Sequence, residues 1–217
     1  MSGVGSTEPQ GPSGVGSTEP QEPSGVGSTE PQEPSGGGST EPQGAGATVR
    51  IRPARPEDAV ALVELGSAIG REEGGWLLTT SEWRTPAEER RYLRALKRYQ
   101  HAAVFVAEAD GRLVGRLSVA RDTHPSSHHV ADLGLMIAAG HRRRGIGRAL
   151  LQQAVVWARG AGIRKLELHV FPWNEPALRL YEAFGFEREG LRREHYRRDS
   201  EFVDAILMAY RFPPDSS

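Results

Sequence analysis

The feature that most restricts this chain is a stretch unable to build a core. Residues 2–44 are four tandem copies of one 11-residue unit: SGVGSTEPQGP, SGVGSTEPQEP twice, and SGGGSTEPQG. An 11-residue period suits a right-handed coiled coil, but only with apolar residues at helical spacing. Each copy offers one valine at most, among Gly and Pro that interrupt regular structure. So little apolar surface cannot offset the ordering entropy, and the segment is expected to be a disordered spacer. A fold must come from the rest: residues 48–213 as one domain, after a tail at 1–47 and before a short tail at 214–217.

The split changes the meaning of the charge. The chain has 217 residues, 27 Lys+Arg and 28 Asp+Glu, for a net of −1. Six acidic and no basic residues precede residue 48, so the remainder carries 27 against 22, a net of +5. With no cysteine, a disulfide framework, a thiolate zinc site and a cysteine nucleophile are excluded. No apolar run approaches the roughly 18 residues that span a membrane, and the start lacks the pattern of a secretory signal. A cytoplasmic protein with no membrane partner is the expectation.

From Thr48 the text becomes globular. Val49–Pro53 alternates as a strand, and Pro56-Glu57-Asp58 opens an apolar helix through Ile69. An irregular stretch leads to a second helix from about Pro86 to Tyr99. Ala102–Glu108 and Arg112–Ala120 are strands joined by Asp110-Gly111, a strong hairpin signal. A strand follows from His129 to Ala138, then a helix in which Ile146, Leu150, Ala154 and Trp157 share one face. Arg164–Val170 alternates again. Asn174 caps a short helix that Gly185 ends. Two last strands, Phe186–Tyr196 and Glu201–Phe212, close the domain. The order β-α-α-β-β-β-α-β-α-β-β predicts an α/β fold with a mixed sheet and flanking helices.

The most informative segment is Arg142-Arg143-Arg144-Gly145-Ile146-Gly147, between a strand and a helix. Two glycines allow close backbone approach, and the helix start offers unpaired N–H groups and a positive dipole end. Flanking arginines attract phosphate, so the loop suits a pyrophosphate. It is neither GxxxxGK[ST] nor GxGxxG. Without interleaved aromatics or a recognised module, no nucleic-acid partner is expected. His124, His128 and His129 lack standard ligand spacing, so no metal is expected either.

These residues carry a resemblance. Arg142, Gly145 and Gly147 match the [R/Q]-x-x-G-x-[G/A] acetyl-CoA signature of the GCN5-related N-acetyltransferases (GNAT). Asn174, Ala177, Tyr181, Gly185 and Phe186 match the downstream N-x-x-A-x-x-x-Y-x-x-x-G-F pattern. Within the superfamily the chain is most similar to bacterial L-amino-acid N-acetyltransferases. The resemblance spans about Thr48 to Phe212 and implies a mostly antiparallel GNAT sheet with a splayed strand pair. It also implies direct acetyl transfer from acetyl-CoA to an amine.

By that resemblance, Leu135, Met136 and Ile137 pair with pantetheine, and Arg142, Arg143, Arg144, Gly145, Ile146, Gly147 and Arg148 take the pyrophosphate. Asn174 contacts the cofactor arm. Tyr181 is the expected general acid, since a phenol of pKa about 10 keeps its proton until a thiolate leaves. Asp132 and His129 are the expected bases. Glu72, Trp76 and Trp83 fall in the irregular stretch expected to form the acceptor pocket, with Glu72 and Trp76 touching substrate. The expected acceptor is a small primary amine, an amino acid or related compound. A protein N-terminus or lysine is the alternative, and a non-catalytic CoA-sensing module is the reading from another class. Resemblance alone admits a homodimer.

Overall fold

The computed structural model describes residues 48–77, 84–96, 98, 101–198 and 200–213. The expected disordered repeat tail, Trp83 of the expected acceptor stretch and the last four residues lie outside these. Eleven principal elements follow in the anticipated order: β1 (Arg50–Pro53), α1 (Ala59–Gly70), α2 (Pro86–Leu96), β2 (Ala102–Ala109), β3 (Arg112–Arg121), β4 (Val130–Ile137), α3 (Ile146–Gly160), β5 (Lys165–Val170), α4 (Glu175–Phe184), β6 (Glu187–Arg198) and β7 (Glu201–Arg211).

Local chemistry sets the boundaries. The β2–β3 turn places Asp110 and Gly111 at φ 51° and 73°, the left-handed pair that a two-residue hairpin requires. Asn174 Oδ1 accepts the N–H of Ala177 and caps α4, while Gly185, at φ 112°, ends it.

The strands form one seven-stranded sheet in the order β1-β2-β3-β4-β5-β7-β6, antiparallel except between β4 and β5. On one face, Leu133, Leu135, Ile137, Leu166, Leu168 and Val170 join Ile146, Leu150 and Ala154 of α3 in the main core. The other face is covered by α1 and α2, through Met136 with Leu65, Ile69 and Leu77, and through Val104 and Val106 with Leu62 and Leu93. Side chains alternate along a strand. The residues of β4 and β5 that do not face α3, including Asp132, Glu167 and His169, therefore look toward the α1–α2 side.

The parallel pair is short. Val130, Ala131 and Asp132 pair with Lys165, Leu166 and Glu167, and the register ends there. Beyond that point β4 keeps β3 as its ladder partner and β5 keeps β7. The two strands thus part in the middle of the sheet, as the splayed pair was expected to do.

Candidate functional site

The parting strands define the site, and three elements converge on it. On the α3 side is the arginine–glycine loop. Gly145 adopts φ 77° just before α3, and Arg143 adopts φ 58°. The first i→i−4 bond of α3 runs from the Ala149 N–H to the Gly145 carbonyl. The N–H groups of Ile146, Gly147 and Arg148 therefore precede the helix's own hydrogen bonding, at the positive end of a 15-residue helix.

The two glycines act differently. A Cβ on Gly145 would meet nothing within 4 Å, so its role is backbone conformation. A Cβ on Gly147 would fall 2.8 Å from Leu180 Cδ2 and 3.3 Å from Ile137 Cδ1. Gly147 thus lets α3 pack closely on α4 and β4, rather than only opening the loop to a ligand. Ile146 is likewise a core side chain, 2% exposed.

The arginines divide too. Arg142 is turned inward: its Nη2 donates to both carboxylate oxygens of Glu72, at 2.7 and 2.8 Å, and its Nε donates to the Ile137 carbonyl at 2.9 Å. Arg142 and Glu72, expected at the pyrophosphate and the acceptor, are therefore each other's partners. Together they brace the end of β4 against the turn after α1. Arg143 and Arg144 are exposed beside Gly145, and Arg148 leans on α4, donating to the Ala183 carbonyl.

Tyr181 lies on α4, 1% exposed, with its ring 5.6 Å from that of Phe186. Asn174 is fully buried as the cap of the same helix. Leu135, Met136 and Ile137 occupy the splayed half of β4. His129 is at the closed end, exposed, with its carbonyl accepting the N–H groups of Arg164 and Lys165. Asp132 is at the last paired position, where the strands part.

On the face opposite α3 lies a polar cluster only partly visible in the sequence. Burial, then the charges of Glu167 and Asp122, push the Asp132 pKa up to about 6. His169 follows Glu167 by two residues on the same side of β5. Its Nδ1 is 2.7 Å from the Tyr196 hydroxyl of β6. Its Nε2 is buried and has no hydrogen-bond partner among the described residues. Burial, with Arg192 and His195 adding positive charge, lowers the His169 pKa to about 4 and keeps the ring neutral near pH 7. Tyr196, half-buried and near Asp132, is pushed up to about 12 and keeps its proton.

Aromatic contacts tie this cluster to the turn after α1. Phe171 stacks on Trp173 at 4.5 Å, and the Arg198 guanidinium sits 5.5 Å from the centre of the Phe171 ring. Arg198 donates to the Gly75 carbonyl at 2.6 Å, and Trp173 Nε1 donates to the Gly74 carbonyl at 3.3 Å. Trp76 is half-buried, its indole folded over Gly74, where any Cβ would collide with the ring. The segment carrying Glu72 and Trp76 is thus docked beside the cluster, although Glu72 itself is spent on Arg142. The sequence reading missed His169 and Tyr196. The available signal was a histidine on the polar side of β5, just past the expected point of splaying.

A model of the acetyltransferase (GNAT) family matches residues 75–186. The chain is 36% identical over 109 residues to the L-amino acid N-acetyltransferase AaaT of Escherichia coli K12, covering 48% of this chain and 65% of that one. It is 40% identical over 93 residues to the N-alpha-acetyltransferase RimI of Mycobacterium tuberculosis, covering 42% of this chain and 56% of that one. Both alignments span less than two thirds of the relative. Among solved structures, a GNAT-family acetyltransferase from Streptococcus pneumoniae superposes with a TM-score of 0.70 at 27% identity, over 76% of this chain and all of that one.

Proposed function

The chain belongs to the acetyltransferase (GNAT) family, and from that premise we propose that it moves the acetyl group of acetyl-CoA directly to the primary amine of a small molecule, an amino acid or a close relative. The observation that carries this reading is the parting of β4 and β5 after Asp132 and Glu167. It opens a gap between the α3 loop and the cluster of Asp132, His169 and Tyr196.

The two sides of the gap suit the two substrates. The pyrophosphate of acetyl-CoA goes to the start of α3, where the N–H groups of residues 146–148 and the exposed Arg143 and Arg144 lie. Leu135, Met136 and Ile137 line the pantetheine path, and one N–H of this strand polarises the thioester carbonyl. Asn174 serves by holding the start of α4, and Arg142 by bracing the loop with Glu72.

The amine approaches from the α1–α2 side. A protonated amine cannot attack, so one proton must leave. In the tautomer whose Nδ1–H donates to the Tyr196 oxygen, His169 Nε2, buried and without a partner among the described residues, is placed to accept a hydrogen bond from the nucleophilic nitrogen. Asp132, with a pKa near 6, is ionised at neutral pH and is the proton's destination, through water. His129, at the closed end of the strand pair, is the weaker choice. The amine nitrogen bonds to the acetyl carbon and the carbon–sulfur bond breaks; the nitrogen, positively charged once bonded, sheds its second proton through His169 and water to solvent, while Tyr181 protonates the departing thiolate and regains its own proton from solvent.

An amino-acid acceptor is favoured over a protein because AaaT is named for that activity. RimI, named as an N-alpha-acetyltransferase, keeps the protein N-terminus as the second reading. Release of free CoA thiol, screened over amino acids, polyamines and N-terminal peptides, decides between them. Turnover with free amino acids supports the proposal, and turnover confined to peptides replaces it with the second reading.

A further inference from the structure

We propose that Arg192 selects the acceptor by holding a carboxylate, so that a free α-amino acid is preferred to its amide or to a bare amine. The inference rests on the acetyl-transfer reading above and adds the group that discriminates among amines.

Strand β6 is distorted in its middle. Arg192 pairs with Ala205 and Tyr196 with Val203, so residues 193–195 stand opposite Asp204 alone. Two extra residues are accommodated there by a bulge. Glu194 takes φ 50°, unusual for a residue with a side chain, and its N–H donates to Asp204 Oδ1 at 2.8 Å. Such bulges re-aim side chains beside functional sites. Here the bulge gathers Arg192, His195 and Tyr196. Arg192 Nη1 is 3.3 Å from His195 Nε2, and the His195 ring is 4.7 Å from Tyr196 and 5.1 Å from His169.

Four neighbouring cations are already engaged, and of the arginines of β6 it is Arg192 whose guanidinium reaches the His195 ring of the cluster. Arg142 holds Glu72, Lys165 holds Glu167 and Glu189, Arg188 holds Glu182, and Arg198 donates to a backbone carbonyl. Among the described residues no carboxylate lies within ion-pair distance of Arg192. Its charge nevertheless reaches the cluster, opposing protonation of His169 and His195 and favouring the ionised form of Asp132. The site thus offers a carboxylate and, among the described residues, an unpartnered imidazole nitrogen on one side, and a guanidinium that no carboxylate neutralises on the other. That pattern complements a zwitterion: the ammonium toward Asp132 and His169, the carboxylate toward Arg192. A guanidinium's fork matches a carboxylate in two parallel hydrogen bonds, which an amide cannot reproduce.

The test measures initial rates of CoA thiol release with L-leucine, L-phenylalanine and L-methionine, each beside its carboxamide and its decarboxylated amine. The wild type should favour an acid over its amide by at least about tenfold in kcat/KM. Arg192→Gln should remove that preference by raising KM for the acid selectively, so that the acid-to-amide ratio collapses, while any loss from the missing positive charge beside Asp132 falls equally on acid, amide and amine, with Tm unaltered. Arg192→Lys, keeping stem and charge, should give an intermediate ratio. An unchanged acid-to-amide ratio in Arg192→Gln, or a wild type that prefers amides or amines, overturns the inference while leaving acetyl transfer standing. No thiol release with any acceptor overturns acetyl transfer itself, and this inference with it.

Discussion

At the scale of single residues, the account depends on where protons begin and end. Tyr181 is buried on α4 beside Phe186, so Tyr181→Phe removes a hydroxyl while keeping the ring's packing. We expect kcat to fall by at least about tenfold, with acetyl-CoA affinity nearly unchanged, in steady-state and binding measurements. A normal kcat would remove the acid assignment. Asp132 acts only when ionised, and its pKa is raised to about 6. Activity should therefore decline as pH drops through about 6, while His169, lowered to about 4, is still neutral. In Asp132→Asn that limb should vanish from the kcat/KM profile, leaving a fall only near the histidine's lower value. A wild-type profile flat down to pH 5 would contradict the Asp132 role.

At the scale of elements, two contacts hold the cofactor loop, and each can be broken separately. Glu72→Ala leaves the inward-facing Arg142, with only 5% of its side chain exposed, without its carboxylate. Loss of a partner to a nearly buried charge should cost about 2 kcal/mol or more, which lowers Tm by about 4–8 °C in a domain of this size. Gly145→Ala meets no steric obstacle but must hold a left-handed φ, which costs roughly 1–2 kcal/mol. Titration should show weaker acetyl-CoA binding, on the order of tenfold, with kcat little changed.

The same elements show what the sequence could reveal. Strand alternation, the Asp110-Gly111 turn and the caps Asn174 and Gly185 are local signals, and the element order followed from them. The arginine–glycine loop was legible as the start of α3 because glycine's left-handed conformation and the helix start are local signals, and the anion-binding role assigned to it is proposed on that chemistry. What stayed hidden depends on partners far apart in the chain. Arg142 looked like a phosphate ligand because nothing in the sequence ties it to Glu72, 70 residues earlier. His169 went unassigned because its partner Tyr196 comes from β6, 27 residues later. The β6 bulge was invisible because its cause, the Asp204 carboxylate taking the Glu194 N–H, spans the hairpin.

At the scale of the whole molecule, charge and attachment are the remaining variables. The net of −1 combines six acidic residues before residue 48 with a net of +5 after it. Acetyl-CoA is a polyanion, so its association should be steered by the domain and weakened by the acidic segment at low ionic strength. Deleting residues 1–47 should leave kcat unchanged and modestly raise kcat/KM for acetyl-CoA in dilute buffer, a difference that added salt abolishes. A fall in kcat on deletion would show that the segment does more than space and screen. Direct acetyl transfer to a small amine can be read by incubating the full chain with acetyl-CoA and the amine panel. Thiol release and the acetylated product are followed together. The account predicts equal amounts of free CoA and N-acetylated amino acid; measurable CoA binding with no thiol release above spontaneous hydrolysis for any amine would contradict it.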